Sequence, residues 1–136
     1  MTVEQTFWNW YEANRAQWHR TFMEALLASK LPSYANYPKE QLLPALGKSM
    51  DLLIQALRDR DMEAYVAVQR ANFRARVKAG IAKEDLLGGQ KIGSSVLEAM
   101  VTAATTGEDR RVLLGRAQRM MMLTTTALTE ILFEKT

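Results

Sequence analysis

The stretch Leu114-Gly-Arg-Ala117-Gln-Arg-Met-Met121-Met-Leu-Thr124-Thr-Thr-Ala-Leu128-Thr-Glu-Ile131 decides the fold class. Leu114, Ala117, Met121, Thr124, Leu128 and Ile131 follow one another in steps of three and four, the spacing of one helical face. A second row, Leu113, Met120, Leu123 and Ala127, lies beside the first. The first row has the 3.5-residue period of a coiled-coil seam. It therefore predicts a homodimer formed partly through this helix, whose second row serves the chain's own core. Thr106 and Asp109 form a weak capping box at its start, and the pattern continues to the end of the chain.

Working outward, the same periodicity gives four more helices and no strand. The first runs from about Val3 to Ser29, with Thr2 and Gln5 placed as a capping box. Phe7, Tyr11, Trp18, Phe22 and Ala25 share its apolar face, edged by Trp8 and Leu26. Asn14 falls inside that face without an evident role. Leu31-Pro-Ser-Tyr-Ala-Asn-Tyr-Pro38 breaks the helix. The next helix starts near Pro38 and carries Leu42, Leu43, Leu46, Met50, Leu53, Ile54 and Leu57. Pro44 is costly inside a helix, so a regular helix beginning only at Pro44 is an alternative. Asp61 is a candidate N-cap for a helix over 62–79 that ends at Gly80. Its inner face bears Met62, Tyr65, Val66, Phe73 and Val77, together with the polar Gln69 and Arg76. The fourth helix follows Ala82 and runs to about Ala104, with Leu86, Leu97, Met100 and Val101 inward. Gly89 and Gly93 share that stripe, which predicts the close approach of another backbone.

The 136 residues fit one domain over 1–136, an all-α domain of about five helices. Apolar residues are 48% and charged residues 24% of the chain, which argues against disorder. Cysteine is absent, so no disulfide framework holds the fold. The longest uncharged stretch, Met120 to Thr129, is ten residues, half of the roughly 20 that a membrane span needs. The N-terminus lacks the pattern of a signal peptide, which makes the cytoplasm the default location. Arg70, Arg74, Lys78 and Lys83 form a local basic surface. With a net charge of only +3 and no recognisable module, a solvated flank outweighs nucleic-acid binding.

Candidate chemistry is sparse. His19 is the one histidine, and a metal site would need further His or Cys ligands. A surface or packing role is expected for it. A globin-type haem needs a histidine in the second half of the chain, and none follows His19. The methionines at 120–122 read as core and interface filler. No nucleophile constellation is present, and Gly88-Gly-Gln-Lys-Ile-Gly93 lacks the strand that phosphate-binding loops follow. The chain is therefore not expected to be an enzyme. Arg76 and Gln69 are the notable pair, since an arginine on an apolar face wants an anion or a carboxylate. With Phe73, Trp18 and Phe22 they are the candidate ligand site, for a small anion or the headgroup of a fatty acid. The competing reading is that Arg76 extends past the core to terminal carbonyls. Trp8 and Trp10 cannot face the same core, which leaves one of them exposed or at an interface.

The order of features resembles the N-terminal sensor domains of RsbR-type stressosome proteins and related histidine-kinase input domains. It is carried by the aromatic first helix with Trp18, the turn Tyr34-Ala-Asn-Tyr-Pro38, and the acidic break at Asp59 to Asp61. Arg74-Ala-Arg-Val-Lys-Ala-Gly-Ile81 and the ending Leu128-Thr-Glu-Ile-Leu-Phe-Glu134 complete it. The resemblance implies a globin-like fold without haem, acting as a dimeric signal-input module. Its last helix would pass a signal to an output domain or protein partner. Some similar sensors hold a fatty acid in an apolar tunnel, with a halide nearby.

Overall fold

The structure is a computed structural model that describes residues 1–134. Six helices follow in chain order: α1 (Val3–Ala28), α2 (Pro32–Ala35), α3 (Lys39–Asp59), α4 (Met62–Lys78), α5 (Lys83–Ala104) and α6 (Gly107–Leu132). There is no strand among the described residues. The sixth element is the single turn α2, inside the proline-bounded break.

Local signals set most of the boundaries. The Thr2 hydroxyl accepts from the Gln5 backbone N–H at 3.1 Å, while the Gln5 side chain turns to Asn9 instead of completing the box. The Asp61 carboxylate accepts from the Ala64 N–H at 3.2 Å and starts α4. Gly80, at φ +97°, ends it, and the Ile81 N–H reaches back to the Arg76 carbonyl at 3.0 Å. Thr106 makes no side-chain cap, so the box expected with Asp109 does not form. α3 is helical on both sides of Pro44. Pro44 is exposed and close to the helix start, where water can satisfy the carbonyl it leaves unpaired. α6 closes at Phe133 rather than running on, and Lys135 and Thr136 lie outside the described residues. Asn14 has a simple role, donating to the Trp10 carbonyl one turn back at 2.8 Å.

α1 packs on α3 and α5, and α6 packs on α4 and α5. One apolar group centres on Phe7, Tyr11, Ile54, Leu97, Met100, Leu113 and Met120. A second gathers Leu26, Leu42, Phe73, Leu86 and Leu128. Trp8 is buried beneath the Arg58 guanidinium, which lies 4.5 Å from its ring centroid. Trp10 is half-buried and stacked on Phe7, so neither tryptophan is left free on the surface.

The seam residues of α6 are used inside the chain. Ala117, Met121, Thr124, Leu128 and Ile131 are all buried and Leu114 is half-buried, with α4 and α5 as the covering helices. Periodicity had identified an apolar face correctly but not what covers it. The outer face of α6 instead presents Met122, Leu123 and Phe133, the last 81% exposed. Gly89 and Gly93 likewise receive side chains, not a backbone: a Cβ would sit 3.1 Å from the Tyr34 hydroxyl at Gly89 and 3.4 Å from the Phe22 ring at Gly93. The tightest glycine is Gly47, which also faces a side chain: a Cβ there would meet His19 Nδ1 at 2.6 Å.

Candidate ligand site

A cavity of about 60 Å³ lies where the two apolar groups meet, among α1, α2, α3, α4, α5 and α6. Four of the five residues singled out from sequence line it: Phe22, Gln69, Phe73 and Arg76. Trp18 does not; it borders a shallow surface groove between α1 and α5, with Ile92 and Val96. The cavity's volume is more than the roughly 10–15 Å³ needed to hold one water-sized group and well below that of an ordinary ligand pocket.

The last turn of α4 carries Arg76 to the cavity wall, half-buried. Its guanidinium donates to the Ser49 hydroxyl of α3 at 2.9 Å. No carboxylate among the described residues lies within ion-pair distance of it. The sequence-based alternative, in which Arg76 bonds terminal carbonyls, is thus replaced by a bond to Ser49. Gln69, two turns earlier on α4, is 4% exposed beside it.

Two phenols complete the polar wall. Burial pushes the Tyr65 hydroxyl up to about 12, against smaller opposing effects of Gln69, Arg76 and Thr124. Burial also raises Tyr34, with Arg76 opposing. Both therefore stay protonated at neutral pH and can donate hydrogen bonds. Met50, Leu86 and Met121 supply apolar wall, so Met121 serves a cavity rather than the expected dimer seam. Sequence reasoning missed Ser49, Tyr34 and Gln90 here. Each lies on another element, and no spacing along the chain connects them to Arg76.

Two other polar clusters were not legible. Tyr11, fully buried, donates to Asp51 Oδ1 at 2.5 Å, and its hydroxyl lies 2.8 Å from His19 Nε2. His19 Nε2 is also 3.0 Å from Asp51 Oδ1, and Arg15 Nε is 3.3 Å away. Three side chains of α1 thus converge on one carboxylate of α3, and desolvation followed by the Asp51 bond raises the Tyr11 pKa. His19 is thus held between Gly47 and the Tyr11–Asp51 pair in a polar contact. At the start of α1, the Glu4 carboxylate is fully buried against Arg116 of α6, with Arg60 at 3.4 Å.

The basic stripe on α4 is mostly neutralised by α6. Arg70 pairs with Glu130 at 2.9 Å, and Arg74 Nε donates to Glu134 at 3.3 Å. This holds the two helices side by side in the same direction. No group of three or more metal-capable side chains occurs among the described residues. No described helix is long and apolar enough to cross a membrane.

Comparison with protein-family models, with curated protein sequences and with solved structures gave no match in any of the three.

Proposed function

We propose that this chain is a signal-input domain in which occupancy of the Arg76 cavity is passed through α4 to α6 and on to an output domain or protein partner. The observation that carries the reading is the half-buried Arg76, facing a cavity with a hydroxyl partner and no carboxylate. A half-buried cation without a counter-ion is partly desolvated at some cost, and a bound anion offsets that cost. α4 couples two sites. One face carries Gln69, Phe73 and Arg76, and the adjoining edge carries Arg70 and Arg74, which grip the end of α6. A ligand that prefers one setting of α4 thereby biases α6.

Within this reading the arrangement is globin-like without haem, of the RsbR-type stressosome kind, and the protein works as a cytoplasmic homodimer. The pairings α1–α3, α1–α5, α4–α6 and α5–α6 around a central cavity support the globin-like part. Met122, Leu123 and Phe133 are the apolar residues α6 leaves available to a second copy or an output partner. These same residues favour a second reading, a ligand-free interaction adaptor. A fatty-acid carrier fits less well, because 60 Å³ is several-fold below the roughly 300–1,000 Å³ of ordinary ligand pockets.

The test is a thermal-shift screen of small metabolites, followed by amide hydrogen exchange with each hit. The expected result is a ligand whose stabilisation is lost in Arg76→Gln and which changes protection over residues 125–134. Absence of any such ligand, with a dimer by native mass spectrometry, overturns the sensing reading in favour of the adaptor.

A further inference from the structure

The geometry points to a small monocarboxylate as the ligand of the Arg76 cavity. The inference rests on the ligand-sensing reading above and narrows it to a chemical class, from the volume, the charge and the donor set.

Volume fixes the size. A cavity of about 60 Å³, several-fold below the roughly 300–1,000 Å³ of ordinary ligand pockets, favours a short acid over a long acyl chain. At Gly93 and Gly89 even an added Cβ would stand 3.4 Å from the Phe22 ring and 3.1 Å from the Tyr34 hydroxyl, so a long acyl chain finds little space beside them.

Charge fixes the valence. Arg76 is the one cation on the wall, so a monoanion is matched. A phosphate or sulfate dianion would bring a second charge that no other cation on the wall answers. Only one of the five guanidinium N–H donors is spent on Ser49. The others can meet a planar carboxylate in the two-bond geometry that arginine favours.

Donor placement fixes the orientation. Tyr34 and Tyr65, both protonated at neutral pH, and the buried Gln69 amide supply neutral donors on the cavity wall. The Gln90 amide is already given to Met121 Sδ at 3.7 Å. Phe73 and the Met121 methyl offer apolar surface, the Met121 sulfur being met by Gln90. The carboxylate therefore lies toward Arg76 and a short alkyl tail toward Phe73 and Met121. Chloride would satisfy the cation and leave the apolar part of the cavity empty.

The experiment is an NMR titration of the full chain with propionate, propionamide, chloride and decanoate in turn, repeated on Arg76→Gln and Arg76→Lys. Propionate is expected to saturate with a Kd in the range of about 10 μM to 1 mM, near what so few atoms can give. Propionamide and the Arg76→Gln variant should each weaken binding at least about tenfold, and Arg76→Lys should restore part of the loss. Intermolecular NOEs from the propionate methyl to the Met121 methyl locate the ligand in the native chain, whatever the variants do to folding.

Equal binding of propionate and propionamide, an unchanged Kd in Arg76→Gln, or NOEs elsewhere overturns the proposal. Chloride competing at equal or better affinity overturns the carboxylate class. Decanoate binding more tightly than propionate through Arg76 overturns the size limit. Both of these last outcomes leave the ligand-sensing reading standing. If no probe binds, the small-carboxylate assignment falls, and the sensing reading is decided separately by the metabolite screen.

Discussion

The buried Glu4–Arg116 pair makes a prediction whose asymmetry comes from the structure. The Glu4 side chain is 0% exposed, whereas that of Arg116 is 34% exposed. Removing either partner strands the other, but the stranded groups differ. In Glu4→Leu, the long Arg116 side chain can carry its charge outward to water, and the expected cost is about 2 kcal/mol. In Arg116→Met, the Glu4 carboxylate stays enclosed with only Arg60, at 3.4 Å and itself 59% exposed, to answer it. An exposed partner contributes no more than about 1 kcal/mol. The expected cost is therefore about 4 kcal/mol, toward the top of the range for breaking a buried pair. Glu4→Leu with Arg116→Met strands neither group and should cost about 3 kcal/mol or less, giving a coupling of roughly 3 kcal/mol. Urea denaturation of the wild type, both singles and the double measures all three quantities. Against a total stability of about 5–15 kcal/mol, the Arg116→Met effect corresponds to a fall in Tm of some 10–20 °C. Equal costs for the two singles, or simple additivity in the double, would refute the reasoning.

Further perturbations have definite outcomes. Gly47→Ala gains up to about 1 kcal/mol of helix propensity but drives a methyl against His19. A net loss of about 1–2 kcal/mol is expected, shrinking in the background of His19→Ala when both are measured by chemical denaturation. Tyr65, pushed to about 12 by burial, binds its proton more tightly when folded than when unfolded near 10. The associated stability is complete below pH 10 and is lost as pH rises toward 12, by about 2–3 kcal/mol. Tyr65→Phe should flatten that part of a stability–pH curve, and an unchanged slope would show that Tyr65 titrates normally. Lys30 is exposed at φ 57° just past the end of α1, a position suited to glycine. Lys30→Gly should leave stability equal or raise it by up to about 1 kcal/mol, and a lower Tm would contradict this.

Much of what lies along a single helix was legible in the sequence. The Thr2 and Asp61 caps, the stop at Gly80 and the inward residues of α3 depend on neighbours within four positions. Those interactions are fixed as soon as the chain turns into a helix. The same locality places Gln69, Phe73 and Arg76 on one face of α4, although the rest of the cavity wall comes from other helices. Local reasoning failed where the partner is remote. The period of Leu114, Ala117, Met121, Thr124, Leu128 and Ile131 states that one side of α6 avoids water, and burial is non-directional. Only tertiary structure decided that α4 and α5 cover that side, and that the basic stripe of α4 meets Glu130 and Glu134. Asp51 joins Tyr11 and His19 across 40 and 32 positions, and Glu4 reaches Arg116 from the opposite end of the chain. Such contacts follow from how helices cross in space, which no spacing along the chain encodes. The cavity beside Arg76 belongs with them, because its volume is what packed helices leave unfilled.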